Sequence, residues 1–328
     1  MNYRMLGKTG FEVAEVALGT WQVGGGWGRP FNDRTAEKIL NRAIDLGVNF
    51  IDTADVYSDG RSEAAVARVV KSRPEAVVVA TKCGRRITPH VAEGYTPEAL
   101  EGFVNDSLDN MGLETIDLIQ LHCPPTEIYY RPEIFALFDR LKDEGKIRHL
   151  GVSVEKVEEA IKAIQYPNVT TVQIIFNMFR HRPSELFFRL AKEKNVGIII
   201  RVPLASGLLT GKMTPQTTFG ADDHRKFNRE GEAFDRGETF AGVQFEAGLE
   251  AVDELKKLFP GNRGLAPWAL RWVLMFDEVS CVIPGASKLA HVEANVRASG
   301  RPPLTEEQMD GVKRIYRERI KDSVHQRW

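Results

Sequence analysis

Between residues 13 and 201 the chain alternates seven short apolar runs with stretches of helical pattern, and no other property restricts its fold so strongly. The runs cover residues 13–18, 48–52, 76–82, 116–122, 147–153, 171–175 and 197–201. Each is almost continuously apolar instead of alternating, the pattern of a strand buried on both faces in a parallel sheet covered by helices. Helical periods fill the gaps at 35–46, 62–71, 96–111, 132–144, 157–165 and 183–194. Gly47 is placed to end the first of these, and Thr96-Pro97-Glu98 reads as an N-cap followed by a first-turn proline.

The rest of the chain completes the pattern. Gly7 and Gly10 mark a turn between two extended pieces, a hairpin at one end of the fold. Residues 212–244 are polar, glycine-rich and without period, too long for a plain connector, and read as a functional lid. Helices at 245–259 and 266–275 lead to an eighth apolar run, 279–283, and a helix at 289–298 follows. A last helix, 305–319, opens with a Thr305–Gln308 capping box. Eight strands with helical crossovers predict a (β/α)8 TIM barrel, one domain over residues 1–328, with an N-terminal β-hairpin, a lid before the last strand and a C-terminal helix. A doubly wound open sheet is the alternative. It calls for a glycine-rich first strand-to-helix turn, and the loop at 24–28 does not match that motif in that context.

Composition excludes several classes. The 44 basic and 45 acidic residues leave a formal charge of −1, so nucleic-acid binding has no electrostatic footprint. No run approaches the ~20 apolar residues of a membrane span, and the first residues lack a signal-peptide core. Cys83, Cys123 and Cys281 are odd in number, far apart and in no CxxC pair. They read as reduced, buried thiols, and the protein as cytoplasmic. A metal-dependent barrel hydrolase needs several His and Asp ligands at strand ends; of seven histidines only His122 stands there, so no metal site is expected.

In a barrel, chemistry belongs to the C-terminal ends of the strands. The polar residues there are Thr20 and Trp21, Asp52, Lys82, His122, Ser153, Gln173 and Arg201, with Tyr57 in the loop after Asp52. Each has an ordinary reading alone: a turn cap for Asp52, a snorkelling stem for Lys82, a satisfied core imidazole for His122, a loop aromatic for Tyr57. A carboxylate, an ammonium, an imidazole and a phenol at one rim point jointly to a site. A phenol is a weak acid near pKa ~10. A lysine beside it stabilises the phenolate, and a carboxylate beside the lysine keeps that lysine charged. Such a phenol suits protonation of the alkoxide left by hydride addition to a carbonyl, and only a cofactor supplies hydride.

The motifs FIDTADVY, VVVATK, LIQLH, GVS, VQIIFN, PLASGLLTGK and IPGASK run in this order through almost the whole chain. They closely resemble the landmarks of the aldo-keto reductase family. The resemblance implies a tetrad of Asp52, Tyr57, Lys82 and His122, with Tyr57 as general acid/base. It implies a nicotinamide dinucleotide, NADP(H) favoured and NAD(H) possible, bound across the barrel mouth without a Rossmann motif. Gly19, Thr20, Trp21 and Asp52 would border it, and Ser153 and Gln173 would hold the carboxamide. A companion asparagine is replaced here by Val154. Pro203, Leu204, Ser206, Gly207, Leu209 and Lys212 match the loop under the pyrophosphate, although Lys212 also reads as a solvated loop lysine. Gly285, Ser287, Lys288, His291 and Asn295 match the adenosine end, with His291 where many members have an arginine. Arg201 stands where the family usually has an aromatic residue. Stacking, contact with a phosphate or acidic substrate, and a structural ion pair all remain open for it.

Trp21, Trp27, Tyr57, His122 and Tyr129, with the lid's Phe227, Phe234 and Phe240, are candidates to line a pocket for a small carbonyl compound or sugar. No residue selects one substrate. The reading is a reductase of aldehydes, ketones or sugars. The alternative is a cofactor-binding interaction protein resembling potassium-channel beta subunits, with little turnover.

Overall fold

The computed structural model describes residues 1–25, 30–259 and 264–328. Strands β1 (Tyr3–Met5) and β2 (Glu12–Ala14) form an antiparallel hairpin with Tyr3 opposite Ala14. Eight parallel strands follow in sequential order: β3 (Leu18–Gly19), β4 (Phe50–Asp52), β5 (Val78–Cys83), β6 (Ile116–His122), β7 (Ile147–Ser153), β8 (Val169–Ile175), β9 (Gly197–Arg201) and β10 (Val279–Val282). Bridges Val16–Val282 and Gly19–Gly285 bring the last strand back to the first, so the sheet is a nearly closed barrel. Gly19 makes this seam possible: a Cβ there would lie 2.8 Å from the Ile283 carbonyl oxygen.

Helices α1 (Asp33–Asp45), α2 (Arg61–Lys71), α3 (Pro97–Met111), α4 (Pro132–Asp143), α5 (Val157–Ala163) and α6 (Phe187–Glu193) link successive strands on the outside. Their starts are set locally: Asn32 accepts from the Thr35 N–H, and Thr96 from the Ala99 N–H ahead of Pro97. After β9 come α7 (His224–Phe227), α8 (Phe245–Leu258) and α9 (Ala266–Val273). After β10 come α10 (Leu289–Val296), α11 (Glu306–Ile315) and α12 (Lys321–Val324). No helix among the described residues is long and apolar enough to cross a membrane.

Apolar burial divides into two bodies. The larger lies between the outer faces of the strands and the helices. The smaller fills the barrel itself, where Phe50, Ala80, Leu118, Ile199 and Cys281 meet Leu6 and Val13 of the hairpin. The hairpin therefore plugs the end opposite the strand C-termini. Burying a side chain such as Leu6 contributes about 1.5–3 kcal/mol.

Three elements depart from the sequence expectation. The run 13–18 is divided, because β2 pairs in the hairpin while Val16 bridges β10 and Leu18 and Gly19 pair with β4. Between them Glu15 turns inward to receive Arg4, Asn2 and Ser299. The helix expected at 183–194 begins as a 3-10 turn, Arg182–Ser184, and restarts at Phe187 after Leu186 leaves helical geometry. The C-terminal helix widens into a π turn at Tyr316–Ile320, after a capping box at Thr305 and Gln308 that forms as expected.

Candidate active site

Asp52 ends β4, Lys82 lies in β5 and His122 ends β6, so neighbouring strands deliver all three to one rim. Asp52 and Lys82 are each 1% exposed and form a direct ion pair, Nζ to Oδ2. Lys82 also donates to the Thr53 carbonyl at 2.7 Å. Asp52 Oδ1 accepts from Gln173 Nε2 at 2.7 Å, and the two glutamines Gln173 and Gln120 are themselves bonded at 3.1 Å. A carboxylate this buried persists because each oxygen has donors.

Tyr57 sits in the loop above this pair. Lys82 Nζ is 5.1 Å from the phenol ring centre, and the His122 ring meets the phenol edge-on at 6.1 Å. Burial opposes the Lys82 ammonium, but Asp52 and Tyr57 more than reverse this, and its pKa is raised. Burial holds the Tyr57 hydroxyl above its ordinary value; Lys82 pulls it down and Asp52 pushes it back up. The phenol is therefore protonated at neutral pH. Burial, then Lys82, Arg85 and Arg201, hold His122 well below its ordinary value. It is a neutral imidazole whose Nδ1 is buried and, among the described residues, has no hydrogen-bond partner. The arrangement offers one phenolic proton, a cation to receive the resulting phenolate, and a neutral imidazole facing both.

Arg201 is engaged in an ion pair. It donates to Glu155 Oε2 at 2.8 Å and to the Val154 carbonyl at 3.0 Å. The lid's Glu238 lies 3.8 Å from Arg201 and 3.4 Å from Arg85, and Arg85 lies 3.8 Å from Glu155. Two guanidinium and two carboxylate groups thus close one side of the mouth. Burial pushes Glu238 up, but Arg201 and Arg85 pull it lower still; burial dominates at Glu155, which is raised. Cys123, Glu155 and Glu238 place donor atoms within 4.8 Å of one another, with Arg201 Nη2 3.6 Å from the Cys123 sulfur.

The residues expected to border a cofactor fall into two groups. Near the barrel axis, Ser153 aligns with His122 on one side and Gln173 on the other. Ser153 Oγ contacts Cys123 Sγ at 3.4 Å, and the Gln173 amide nitrogen is committed to Asp52. Thr20 donates to the Asp52 carbonyl at 3.0 Å beside Gly19, and Trp21 stays 38% exposed. At the outer edge, Pro203 and Leu204 lead into a 3-10 turn, Ala205–Thr210, where Ser206 and Gly207 take φ values of 53° and 100°. The N–H groups of Gly207, Leu209 and Gly211 are satisfied inside this turn, and Ser206 Oγ bonds Glu238 and Phe240 of the lid. Ahead of α10, Ser287 contacts His291 at 3.4 Å and Asn295 donates to the Gly285 carbonyl. Burial, then the positive charges of Lys288 and Lys212, hold His291 below its ordinary value, so this residue of α10 is a neutral imidazole at neutral pH. The cations of Lys212 and Lys288 suit a phosphate-bearing ligand on this side of the rim.

Trp27 lies outside the described residues. Tyr129 is not at the opening: it is fully buried in the outer core and donates to the Ser153 carbonyl. Phe240 is buried against Phe219 and Phe245, and Phe227 and Phe234 pack on each other. The lid reaches the rim through His224, which meets Trp21 edge-on at 5.0 Å. Arg85, Glu155 and Glu238 were missed by reading strand ends alone. Arg85 and Glu155 stand only three and two residues beyond Lys82 and Ser153, so extending the reading into the loops finds them. Nothing local marks Glu238.

The model of the Aldo/keto reductase family matches residues 15–317. The chain is 29% identical over 333 residues to the aldo-keto reductase YhdN of Bacillus subtilis, covering 99% of this chain and 96% of that one. It is 27% identical over 313 residues to the NADH-specific methylglyoxal reductase of Escherichia coli, covering 89% and 92%. The solved structure of the glycerol dehydrogenase AKR11B4 from Gluconobacter oxydans superposes with a TM-score of 0.78 at 30% identity, covering 97% and 96%.

Proposed function

The chain belongs to the aldo/keto reductase family, and from that membership we propose that it reduces the carbonyl of an aldehyde, ketone or sugar with NADPH, Tyr57 serving as general acid. One observation carries the reading: the half-buried phenol lies over a fully buried Lys82–Asp52 pair, with a neutral imidazole beside it.

The nicotinamide, when bound, supplies hydride to the carbonyl carbon. Tyr57 Oη donates its proton to the carbonyl oxygen, and Lys82 stabilises the phenolate that remains. Asp52 keeps Lys82 protonated, and Gln173 and Gln120 hold Asp52 in place. His122, being neutral, donates a hydrogen bond to the same oxygen and fixes its direction. The raised Tyr57 pKa supports reduction at neutral pH; the reverse reaction needs the phenolate and gains as pH rises. The cations of Lys212 and Lys288 support a ligand with an additional phosphate, hence NADPH; one relative's name specifies NADH, so both cofactors belong in the assay.

The test is cofactor oxidation followed at 340 nm over a panel of aldehydes, ketones and sugars, with Tyr57→Phe beside wild type. Loss of a general acid lowers kcat by about 10²–10⁴. A phenylalanine variant within a factor of two of wild type refutes the assignment.

A further inference from the structure

Along the inner face of the barrel the side chains change character within one step. Phe50, Ala80 and Leu118 belong to the apolar filling. The next inward positions on the same strands, β4, β5 and β6, hold Asp52, Lys82 and Gln120. Asp52 and Lys82 belong to the proton-transfer set, whereas Gln120 does not. It is fully buried, and an amide in such a place is costly unless both of its ends are bonded.

Both ends are. Gln120 stands opposite Lys82 on one side and Gly151 of β7 on the other. Its side chain passes β7 to reach Gln173 on β8, and Gly151 leaves the passage open. A Cβ at Gly151 would lie 3.2 Å from Gln120 Cγ and 2.2 Å from Thr171 Oγ1. Gln120 Oε1 accepts from Gln173 Nε2 at 3.1 Å, while Gln120 Nε2 donates to Asp52 Oδ1 at 3.5 Å. The bond to Asp52 is the longer and weaker one, and Asp52 Oδ1 already receives Gln173 at 2.7 Å. Gln120 is therefore better placed to hold Gln173 than to hold Asp52.

The consequence follows from counting hydrogens. A glutamine amide nitrogen carries two, and its oxygen only accepts. A carboxylate oxygen has no hydrogen to give, so Gln173 must turn its nitrogen toward Asp52. One hydrogen goes to Asp52 and the other to Gln120 Oε1, and the second bond stops the amide plane from turning about the first. Gln173 Oε1 is what remains. It accepts from no group among the described residues and, unlike His122 Nδ1, is not sealed from solvent. Gln173 aligns with Ser153, the other residue that the family resemblance gives to the nicotinamide carboxamide.

We propose that Gln120 is a positioning residue: by taking the second amide hydrogen of Gln173, it leaves Gln173 able only to accept at the mouth, so that the site selects a cofactor amide presenting an N–H there. The inference rests on the cofactor part of the proposed function and adds a selectivity that this part does not contain. Sequence spacing does not reveal it, because Gln120 and Gln173 are 53 residues apart and meet only across β7.

The experiment measures binding by calorimetry, without turnover. The ligands are whichever of NADP⁺ and NAD⁺ binds more tightly, and its 3-acetylpyridine analogue, whose methyl ketone offers an acceptor but no N–H. Wild type should bind the analogue about tenfold or more weakly, the effect of leaving a buried acceptor unpaired. Gln120→Met keeps the side-chain length but has no accepting oxygen. There the ratio of Kd values should fall to within about threefold, because Gln173 can turn an N–H toward the ketone. Gln120→Glu should keep the wild-type ratio, since its carboxyl, held protonated beside Asp52, donates to Oδ1 and accepts from Gln173. Gln120→Asn, too short to reach Gln173, gives the same reading as Gln120→Met if that variant does not fold. A mere structural brace would weaken both ligands alike, so an unchanged ratio in Gln120→Met overturns the inference. So does a wild type that binds cofactor and analogue equally. A wild type that binds neither NADP⁺ nor NAD⁺ overturns the cofactor reading and this inference together.

Discussion

Asp52→Asn isolates the ion pair beneath the phenol. The substitution removes one charge but keeps an oxygen that can still accept from Gln173, so shape and most hydrogen bonds survive. What changes is that a lysine 1% exposed faces a neutral amide and the Thr53 carbonyl. Removing one partner of a buried pair costs about 3–5 kcal/mol, and the conserved shape places this case near ~3 kcal/mol. With about 2.1 cal/mol/K of unfolding entropy for each of the 328 residues, that cost lowers Tm by about 4 °C. The pH dependence is more diagnostic. In wild type the Lys82 pKa is raised, so its contribution is fully present below ~10.4 and is lost only as pH climbs through the folded value. Without Asp52, burial prevails and the Lys82 pKa falls. The unfolded chain then binds more protons than the folded one between that lowered value and ~10.4, and stability rises with pH across this window. The assay is thermal unfolding by circular dichroism at closely spaced pH values from 6 to 10. A variant within 1 °C of wild type at pH 7, or one whose Tm fails to climb toward alkaline pH, refutes the account of a buried, mutually dependent pair.

Two other expectations concern parts of the fold away from the tetrad. Asp55 is pushed up to about 7, so the folded chain holds a proton there that the unfolded chain releases near ~3.9; stability therefore falls as pH rises through this interval, by up to ~4 kcal/mol. Asp55→Asn should match wild type near pH 4 and exceed it at pH 8 in urea unfolding; parallel curves would show that the carboxyl is not perturbed. Trp328 donates to Asp235, lies 4.0 Å beneath Arg180, and packs where Gly237 and Gly242 leave room for its ring. Trp328→Ala should loosen segment 212–244, so that trypsin cuts there several-fold faster than in wild type at a temperature where both remain folded; unchanged cleavage would mean that the lid is held by other contacts.

How far the sequence could be read depended on how local each determinant was. Parallel strands declare themselves by continuous apolar runs, and β6, β7 and β9 fall on the residues read from the sequence. Helix starts at Thr96 and Thr305 are equally local, since a side chain there bonds its own helix. The run 13–18 misled because apolar character cannot say which of two partners, hairpin or barrel, a strand will take. Tyr129 misled in the same way. Its position after a strand suggests a rim, but only packing decides that the ring turns into the core.

By itself the sequence determined the barrel and the positions of Asp52, Lys82 and His122 at the ends of neighbouring strands. Strand order fixes which rim they share. Tertiary structure alone decided what those groups experience. Glu238 reaches Arg85, 153 residues away in the chain, and Arg201 only because the lid folds back over the rim. Gln173 supports Asp52 because β8 lies across the barrel from β4. Asp55 is held above its ordinary value because packing buries its carboxylate beside Glu63. The physical reason is common to all three: backbone pattern is set by neighbours in the chain, whereas charge and desolvation act through space.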